Sequence, residues 1–359
     1  LTLDVPHFSE VMTMKHLFYN WTIDELKSYL VDHGFKAFSS DQIFKWVYEK
    51  NVVDPELMTN ISKPLRAFLK EHVSFKYLDV AQQQKSSDGT EKFLFKLDDG
   101  HVIETVLMKY NYGNSVCVTS QVGCSMGCSF CASGIIAKKR DLTLGELVNQ
   151  VASIQHYTHE SVTHVVVMGT GEPFDNYDHV MDFIRVINHK QGFQIGARHI
   201  TVSTCGIIPR IYDYANEPIK SNLAISLHAP NNELRTKLMK INKVYPLNDL
   251  IKAVDEYTKI SGRRVTFEYI LLNGVNDEIK HANELSDLIR GINAYVNLIP
   301  YNPVNEFFYK KTDHDRAQRF YHQLDKRGIN ATLRRELGSD IDAACGQLRL
   351  KGIDNNPKD

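Results

Sequence analysis

The amino-acid sequence predicts an α/β protein built on a partial, open (β/α)6 barrel, with a small N-terminal helical domain and a connecting β-hairpin before it. Two patterns lead to this class. After residue 131, short apolar runs typical of strands alternate with amphipathic helical stretches, as in a parallel sheet. Between residues 22 and 72 the apolar residues recur at helical spacing instead. The predicted division of the chain is a helical accessory domain at 1–88, a β-hairpin connector at 89–110, a barrel at 111–349 and a tail at 350–359.

The helical domain carries helix-start signals and an apolar face. Thr22 with Glu25, and Ser39 with Gln42, have the spacing of capping boxes. A third helix is predicted near residues 64–71. The apolar face of the second helix is expected to consist of Ile43, Trp46 and Val47.

The hairpin is predicted because the apolar residues in this part of the chain recur at every second position. Phe93, Phe95 and Leu97 alternate with polar or shorter side chains. Residues 98–100, Asp-Asp-Gly, are a turn signal, and a second strand is predicted over 101–108.

The barrel is predicted from six strand–helix repeats and a closing strand, too few for an eight-fold barrel. The predicted strands are 115–120, 164–168, 199–203, 222–227, 264–270, 295–299 and 331–335. The predicted helices are 143–157, 178–188, 208–216, 248–260, 278–290 and 316–327.

Composition excludes several classes of protein. The 359 residues include 42 Lys and Arg against 43 Asp and Glu, a net charge of −1, which argues against a uniformly basic nucleic-acid binder. Local basic clusters at 138–140, 263–264, 310–311 and 334–335 leave room for a channel that follows a phosphate backbone. No apolar run approaches the roughly 18 residues that span a bilayer, and no signal peptide is apparent. We therefore expect a cytoplasmic protein with no membrane partner.

Four of the six cysteines lie between residues 117 and 131, which indicates a metal or cluster site. Cys124, Cys128 and Cys131 form a C-x3-C-x2-C motif. Three thiols this close cannot all pair as disulfides, and a cytoplasmic chain is not expected to hold structural disulfides. A zinc ion with Cys117 as its fourth ligand is one interpretation. An iron–sulfur cluster held by three cysteines, with one iron left open for chemistry, is the other and is favoured.

Polar groups follow several predicted strands at the rim where barrel enzymes place their active sites. Each alone has an ordinary structural interpretation, such as a turn glycine or a satisfied histidine, but together they indicate a site. The candidates are Gly169 to Glu172, Ser203, Ser226 to His228, and Asn302.

Two further residues are candidates on weaker grounds. Cys345 lies in a predicted loop among small neighbours that allow a ligand to approach, although an inert buried thiol fits equally well. Glu104 shares a strand face with Val102 and Val106. A carboxyl group in apolar surroundings suits a proton acceptor, and a rim carboxylate is the equal alternative.

These motifs together resemble the RlmN group of radical S-adenosylmethionine (radical SAM) enzymes, which methylate adenine carbon 2 in 23S rRNA and in tRNA. The resemblance runs from about residue 22 to 349. It rests on the three-cysteine motif, the Gly-Glu-Pro segment at 171–173, Ser-Leu-His at 226–228, and the sequence DIDAACGQL at 340–348 together with an upstream Cys117.

The resemblance implies a role for each candidate residue. Cys124, Cys128 and Cys131 would hold a 4Fe-4S cluster whose fourth iron binds the amino and carboxylate groups of SAM. Cys345 would carry the methyl group, Cys117 would be its disulfide partner in product release, and Glu104 would accept a proton. The positions implied to contact SAM are Gly171, Glu172, Ser203, Ser226, Leu227, His228 and Asn302.

The implied reaction follows from the chemistry of the acceptor. Adenine carbon 2 lies between two nitrogens and is electron-poor, so it does not attack the methyl of SAM directly. One SAM methylates Cys345, and a second yields a 5′-deoxyadenosyl radical that takes hydrogen from this methyl. The resulting carbon radical adds to the unstacked base. Loss of the carbon 2 proton and attack by Cys117 on Cys345 free the product and leave a disulfide to be reduced.

Two other functions remain open from the sequence. One is the Cfr-type sister group that methylates adenine carbon 8, which residues 133–135 partly resemble, although Gly171 to Phe174 and Arg334 to Glu336 favour carbon 2. The other is a non-catalytic zinc-bound RNA-binding module. For the favoured enzyme we expect an electron donor such as flavodoxin, and a monomer.

Overall fold

The computed structural model describes residues 15–304, 306–334, 337–343 and 347–348. Its N-terminal part contains three α-helices, as predicted. The capping box at Thr22 is confirmed, because its hydroxyl accepts from the Glu25 N–H at 3.4 Å and the Glu25 carboxylate accepts from the Thr22 N–H at 2.8 Å. The helices are α1 (Ile23–Asp32), α2 (Ser39–Phe44) and α3 (Lys63–His72).

The predicted capping box at Ser39 is wrong. Phe38 already has helical backbone angles and is the residue before α2, so Ser39 is inside the helix and its side chain does not cap it. The Ser39 N–H donates to the Lys36 carbonyl, so a turn begins this helix in place of a side chain. Beyond Phe44 the helix continues as a π-helical turn, Lys45–Glu49, in which Val47 is buried and Trp46 half-buried.

The predicted hairpin is present and is part of the barrel sheet. Its strands pair antiparallel with each other and, through one further strand, with the barrel. The first strand of this series falls in the region assigned to the helical domain. Its Gln-rich, mostly exposed sequence lacks the apolar alternation that would have revealed it. These strands are β1 (Asp79–Lys85), β2 (Glu91–Lys96), β3 (Val102–Tyr110) and β4 (Gly113–Cys117).

The barrel has the predicted architecture. The remaining strands of this sheet are β5 (His164–Val167), β6 (Ile200–Thr204), β7 (Asn222–Ser226), β8 (Val265–Leu271), β9 (Ala294–Pro300) and β10 (Ala331–Leu333). From β4 onward neighbouring strands are parallel. The order across the whole sheet is β10-β9-β8-β7-β6-β5-β4-β3-β2-β1, and within the described residues β10 and β1 are its two ends, so the barrel is open.

Helices connect successive barrel strands and bury apolar faces against the sheet. The sequence did not reveal the helix between β7 and β8 that Asn231 caps, because its seven residues include only two apolar ones. In the part of the chain that the structure describes, no helix is long and apolar enough to cross a bilayer. The helices are α4 (Leu144–Thr158), α5 (Tyr177–Asn188), α6 (Ile208–Asn216), α7 (Asn232–Leu238), α8 (Leu247–Ser261), α9 (Ile279–Leu288) and α10 (His314–Lys326).

Candidate active site

The three-cysteine motif lies on a loop that leaves the end of β4 and folds back on itself. The Cys124 N–H donates to the Ile136 carbonyl at 3.0 Å, and the Cys131 N–H donates to the Cys128 carbonyl at 3.3 Å. Gly123 makes the turn possible, because its φ is +76° and a Cβ there would collide with the Ala137 backbone. The loop therefore brings the three thiols to the carboxyl edge of the parallel sheet.

The surroundings of these thiols fit a cluster of metal ions. Burial raises the pKa of Cys124 to about 11 and raises that of Cys128 further, and the neighbouring thiols act in the same direction. A bound cation would reverse this by stabilising the thiolates. Among the described residues no three His, Cys, Asp or Glu side chains are arranged to hold a single ion. In a 4Fe-4S cluster each thiolate binds a different iron, so the donors need not converge on one ion.

A cavity of about 160 Å³ lies beside this loop at the ends of β5 to β8; we call it the rim cavity. Of the sequence candidates, the residues that line it are Cys124, Cys128, Gly169, Gly171, Glu172, Ser203, Ser226 and His228. At Gly171 the φ is +113° and a Cβ would lie 2.6 Å from the Ser120 hydroxyl, so this position requires glycine. The two serine hydroxyls are 3.4 Å apart.

Backbone amides hold the carboxylate of Glu172 in place. The Phe174 N–H donates to Oε1 at 3.0 Å and the Cys205 N–H to Oε2 at 2.7 Å. Burial raises the pKa of Glu172, and these hydrogen bonds oppose the rise. The side chains of Thr204 and Cys205 also hydrogen-bond to this carboxylate, which is thereby held against the rim cavity that it lines.

His228 is neutral and fixed. Its backbone is left-handed, with φ 57°, and its Nδ1 accepts from the Ile270 N–H at 3.1 Å. Burial lowers its pKa to about 3, and the charge of Arg235 adds to this effect. Because Nδ1 is an acceptor in the neutral ring, Nε2 carries the proton.

Two of the predicted contact residues lie elsewhere. The Leu227 side chain is fully buried and does not line the rim cavity, although its N–H donates to the Glu268 carbonyl at 3.0 Å and so fixes the backbone between Ser226 and His228. Asn302 lines a second, larger cavity instead.

The sequence did not indicate a role for Arg235, a fully buried arginine in α7 that hydrogen-bonds to the chain at the ends of two strands. Its guanidinium donates to the carbonyls of Cys205 at 2.6 Å, Ser226 at 3.3 Å and Leu227 at 3.3 Å. It also donates to the Asn242 side chain at 3.0 Å. Burial lowers its pKa to about 10. One side chain thus holds the ends of both β6 and β7.

The larger cavity, of about 420 Å³, occupies the barrel interior; we call it the central cavity. Cys117 lines it, so this cysteine is on a different cavity from Cys124 and Cys128. Ala343 and Leu348 pack with Cys117 in one apolar cluster. Position 345 itself is outside the described residues, but Ala343 before it and Leu348 after it both belong to the cluster that contains Cys117.

The loop between β1 and β2 clamps the segment that precedes position 345. The Ser86 hydroxyl and the Ser87 N–H donate to the Asp340 carboxylate at 2.6 and 3.2 Å. The Gly338 N–H donates to the Asp88 carboxylate at 2.8 Å. These contacts join residues about 250 positions apart, so the β1–β2 loop positions the segment that precedes position 345.

Glu104 is in different surroundings from those expected. It is buried, but Lys92 Nζ lies 3.4 Å from its Oε1 and also donates to the Asp342 carbonyl at 3.3 Å. Glu104 lines a small cavity of about 20 Å³ with Leu348, not the central cavity. An ammonium group therefore accompanies the carboxylate, which the apolar strand face did not indicate.

Two members of the basic cluster at 138–140 are already paired. Lys138 Nζ lies 2.8 Å from Asp141 and 2.7 Å from Asp175. Arg140 contacts Asp99 at 2.6 Å and Glu146 at 2.7 Å. These ion pairs weaken the expectation that the cluster contacts RNA phosphates.

Comparison with known proteins agrees with this geometry. The model of the radical SAM superfamily matches residues 118–285, and that of the ribosomal RNA large subunit methyltransferase N-terminal domain matches residues 18–75. A crystal structure of a radical SAM methyltransferase from Sphaerobacter thermophilus has a TM-score of 0.88 and 44% identity, covering 93% of this chain and 99% of that one.

Two curated relatives bear the name "Probable dual-specificity RNA methyltransferase RlmN". The protein from Bacillus licheniformis is 54% identical over 345 residues, which cover 95% of this chain and 96% of the relative. The protein from Geobacillus thermodenitrificans is 56% identical over 336 residues, covering 93% and 92%. The fold, the cysteine loop and this identity over nearly the whole chain lead to one conclusion: the chain belongs to the RlmN family of radical SAM methyltransferases.

Proposed function

We propose that this chain methylates carbon 2 of an adenine in 23S rRNA and in tRNA, with Cys345 as the methyl carrier. The observation that carries the proposal is the placement of Cys117. It lies at the end of β4, seven residues before the first cysteine of the three-cysteine loop, and shares an apolar cluster with Ala343 and Leu348, which precede and follow position 345. All three of these described residues line the central cavity, in which the base would react.

The family uses a 4Fe-4S cluster and SAM, and the cluster, when bound, supplies the electron that cleaves SAM. Cys124, Cys128 and Cys131 would hold three irons, leaving one for the amino and carboxylate groups of SAM. The oriented carboxylate of Glu172 is suited to the SAM amino group. Ser203, Ser226 and the Nε2–H of His228 offer polar contacts along the same wall. Gly171 and Leu227 contribute backbone atoms to the same site. Asn302 contacts the part of SAM that extends into the central cavity.

The other proposed roles involve protons and sulfur. Cys345 sulfur accepts a methyl group from one SAM, with loss of its thiol proton. After the methyl carbon has joined the base, Glu104 accepts the proton from carbon 2, with Lys92 Nζ 3.4 Å from its Oε1. Once the adduct has given up its unpaired electron to the one-electron carrier, the Cys117 thiolate forms a bond to the Cys345 sulfur as the sulfur–carbon bond to the product breaks. The electron pair of the broken bond stays on the product carbon, which takes up a proton and becomes the methyl group.

The test is nucleoside mass spectrometry of RNA from a deletion strain, with and without this gene. The proposal predicts that 2-methyladenosine disappears from rRNA and tRNA and returns with the gene. Recovery of 8-methyladenosine instead would identify the sister reaction. Restoration of neither, by protein with an intact cluster, would contradict the proposal.

The remaining partners follow from the same proposal. Because the cleavage needs one electron at a time, we propose a flavodoxin-type donor. The chain is proposed to act as a monomer. Ribosomal and transfer RNA are cytoplasmic molecules, so the reaction would take place in the cytoplasm.

A further inference from the structure

A buried carboxylate that the proposed reaction does not use lies in the wall between the two cavities. Glu268, on β8, is 4% exposed and borders both the rim cavity and the central cavity. In the sheet register it stands between Ser226 of β7 and Asn297 of β9. It is therefore level with the residues proposed to contact SAM and faces the interior of the barrel.

Only one oxygen of this carboxylate is satisfied. Asn297 Nδ2 donates to Oε1 at 3.0 Å. Oε2 is buried and has no hydrogen-bond donor within the described part of the chain, and Nη1 of Arg334 lies 4.0 Å from it. Buried polar atoms are nearly always paired, so an exception that borders a cavity indicates a ligand. Arg334 lines both cavities as well.

We propose that Glu268 and Arg334 bind an adenine base: Oε2 accepts a hydrogen bond from the 6-amino group, and the guanidinium donates to the adjacent ring nitrogen. An acceptor beside a donor is the complement of adenine's edge, which presents an amino group next to a nitrogen lone pair. The two hydroxyls of a ribose would satisfy the carboxylate but give the guanidinium less to bind, which is why we favour the base.

This inference rests on the proposed function, in which both substrates contain adenine. The base is either that of SAM or the target in RNA. The rim cavity, at about 160 Å³, is below the usual size of a small-molecule site, whereas the central cavity, at about 420 Å³, is within it. Glu268 lies where either base would enter the central cavity, and the chemistry of recognition is the same for both.

The experiment compares adenine with hypoxanthine, which has a 6-keto acceptor in place of the amino donor. Cluster-loaded enzyme is titrated with S-adenosylhomocysteine and with S-inosylhomocysteine. It is also titrated with an RNA substrate carrying adenosine or inosine at the target position. We expect the wild type to prefer adenine in one of these pairs by roughly ten- to a hundredfold.

In Glu268→Gln the preference in that pair should fall to about threefold, because the amide can turn and donate to the keto group. The control is Glu233→Gln, on the exposed surface of α7, which should keep the wild-type preference. A change confined to the homocysteine pair identifies the base of SAM, and one confined to the RNA pair identifies the target. An unchanged preference in both pairs overturns the inference.

Circular dichroism and cluster absorbance show whether Glu268→Gln folds. If it does not fold, a second variant provides the test. Arg334→Met should weaken binding of the same adenine probe about tenfold. Unchanged affinity for both adenine probes would also overturn the inference. Because these are binding measurements, they are independent of methyl transfer, so failure of the proposed function would appear separately as absence of 2-methyladenosine from the wild-type reaction.

Discussion

Replacing Arg235 by methionine should destabilise the ends of β6 and β7, which border the rim cavity, more than replacing an arginine on the surface. Methionine keeps much of the aliphatic stem but removes the donors to the carbonyls of Cys205, Ser226 and Leu227 and to the Asn242 side chain. Each buried acceptor left without a donor costs about 1–3 kcal/mol, and relief from burying the guanidinium offsets part of this sum. The expected net loss of stability is therefore about 3 kcal/mol.

The assay is thermal unfolding together with S-adenosylhomocysteine binding to the cluster-loaded protein. At about 1–2 °C per kcal/mol for a chain of 359 residues, the midpoint should fall by roughly 3–6 °C. Affinity should fall more than tenfold, because the freed carbonyls belong to the backbone that carries Ser226 and His228. Arg235→Lys should recover part of the stability, since an ammonium group reaches fewer of the four acceptors.

Arg290→Met is the matched control. Arg290 is an exposed arginine whose ion pair with Asp287 is on the surface, where such pairs contribute about 0–1 kcal/mol. If Arg235→Met unfolds at the same temperature as Arg290→Met and binds S-adenosylhomocysteine as tightly, the conclusion that Arg235 holds the ends of β6 and β7 is wrong.

Three further predictions follow from the site. Alanine at Cys124, Cys128 or Cys131 should abolish both iron incorporation and 5′-deoxyadenosine formation, and full iron content with activity in a triple variant would contradict the cluster assignment. His228 has a pKa of about 3 in the folded chain and about 6.5 when unfolded, so only the unfolded state binds its proton near pH 5 and stability falls as pH drops below about 6.5. Between pH 7.5 and 5, His228→Gln should therefore lose about 2 kcal/mol less than the wild type in denaturant titrations; equal losses would refute this. Asp340→Ala should slow oxidative formation of the Cys117–Cys345 disulfide relative to Ser339→Ala, measured by thiol labelling, because the clamp from Ser86 and Ser87 is lost; equal rates would exclude a positioning role.

The parts of the fold that the sequence predicts well are those with strong periodicity. Barrel strands and helices end within a few residues of their predicted bounds, because short apolar or alternating runs are separated by amphipathic helical stretches. The exceptions lack that signal. β1 is rich in exposed glutamine, and α7 has few apolar residues, so neither shows an apolar period.

The candidate site was predictable where chemistry dictates residue type and spacing, as in the three-cysteine loop and the glycine at 171. It was not predictable where the function of a side chain depends on long-range contacts. Arg235, within the polar sequence of α7, is typical of a surface arginine, and only the convergence of the ends of β6 and β7 buries it. Lys92 likewise has the sequence pattern of an exposed strand residue, yet the fold places it against Glu104.

The most direct test of the central claim is the fate of RNA on the Cys117→Ala variant. Methyl transfer is assigned to Cys345 and release to Cys117, and Cys117 shares an apolar cluster with Ala343 and Leu348, which precede and follow position 345. Cells expressing Cys117→Ala should accumulate a protein–RNA crosslink that survives denaturing electrophoresis. Nuclease digestion should reduce it to a single nucleotide on the peptide containing Cys345, as read by mass spectrometry, and Cys345→Ala should form none. An intact cluster with no adduct in Cys117→Ala would contradict the roles assigned to both cysteines.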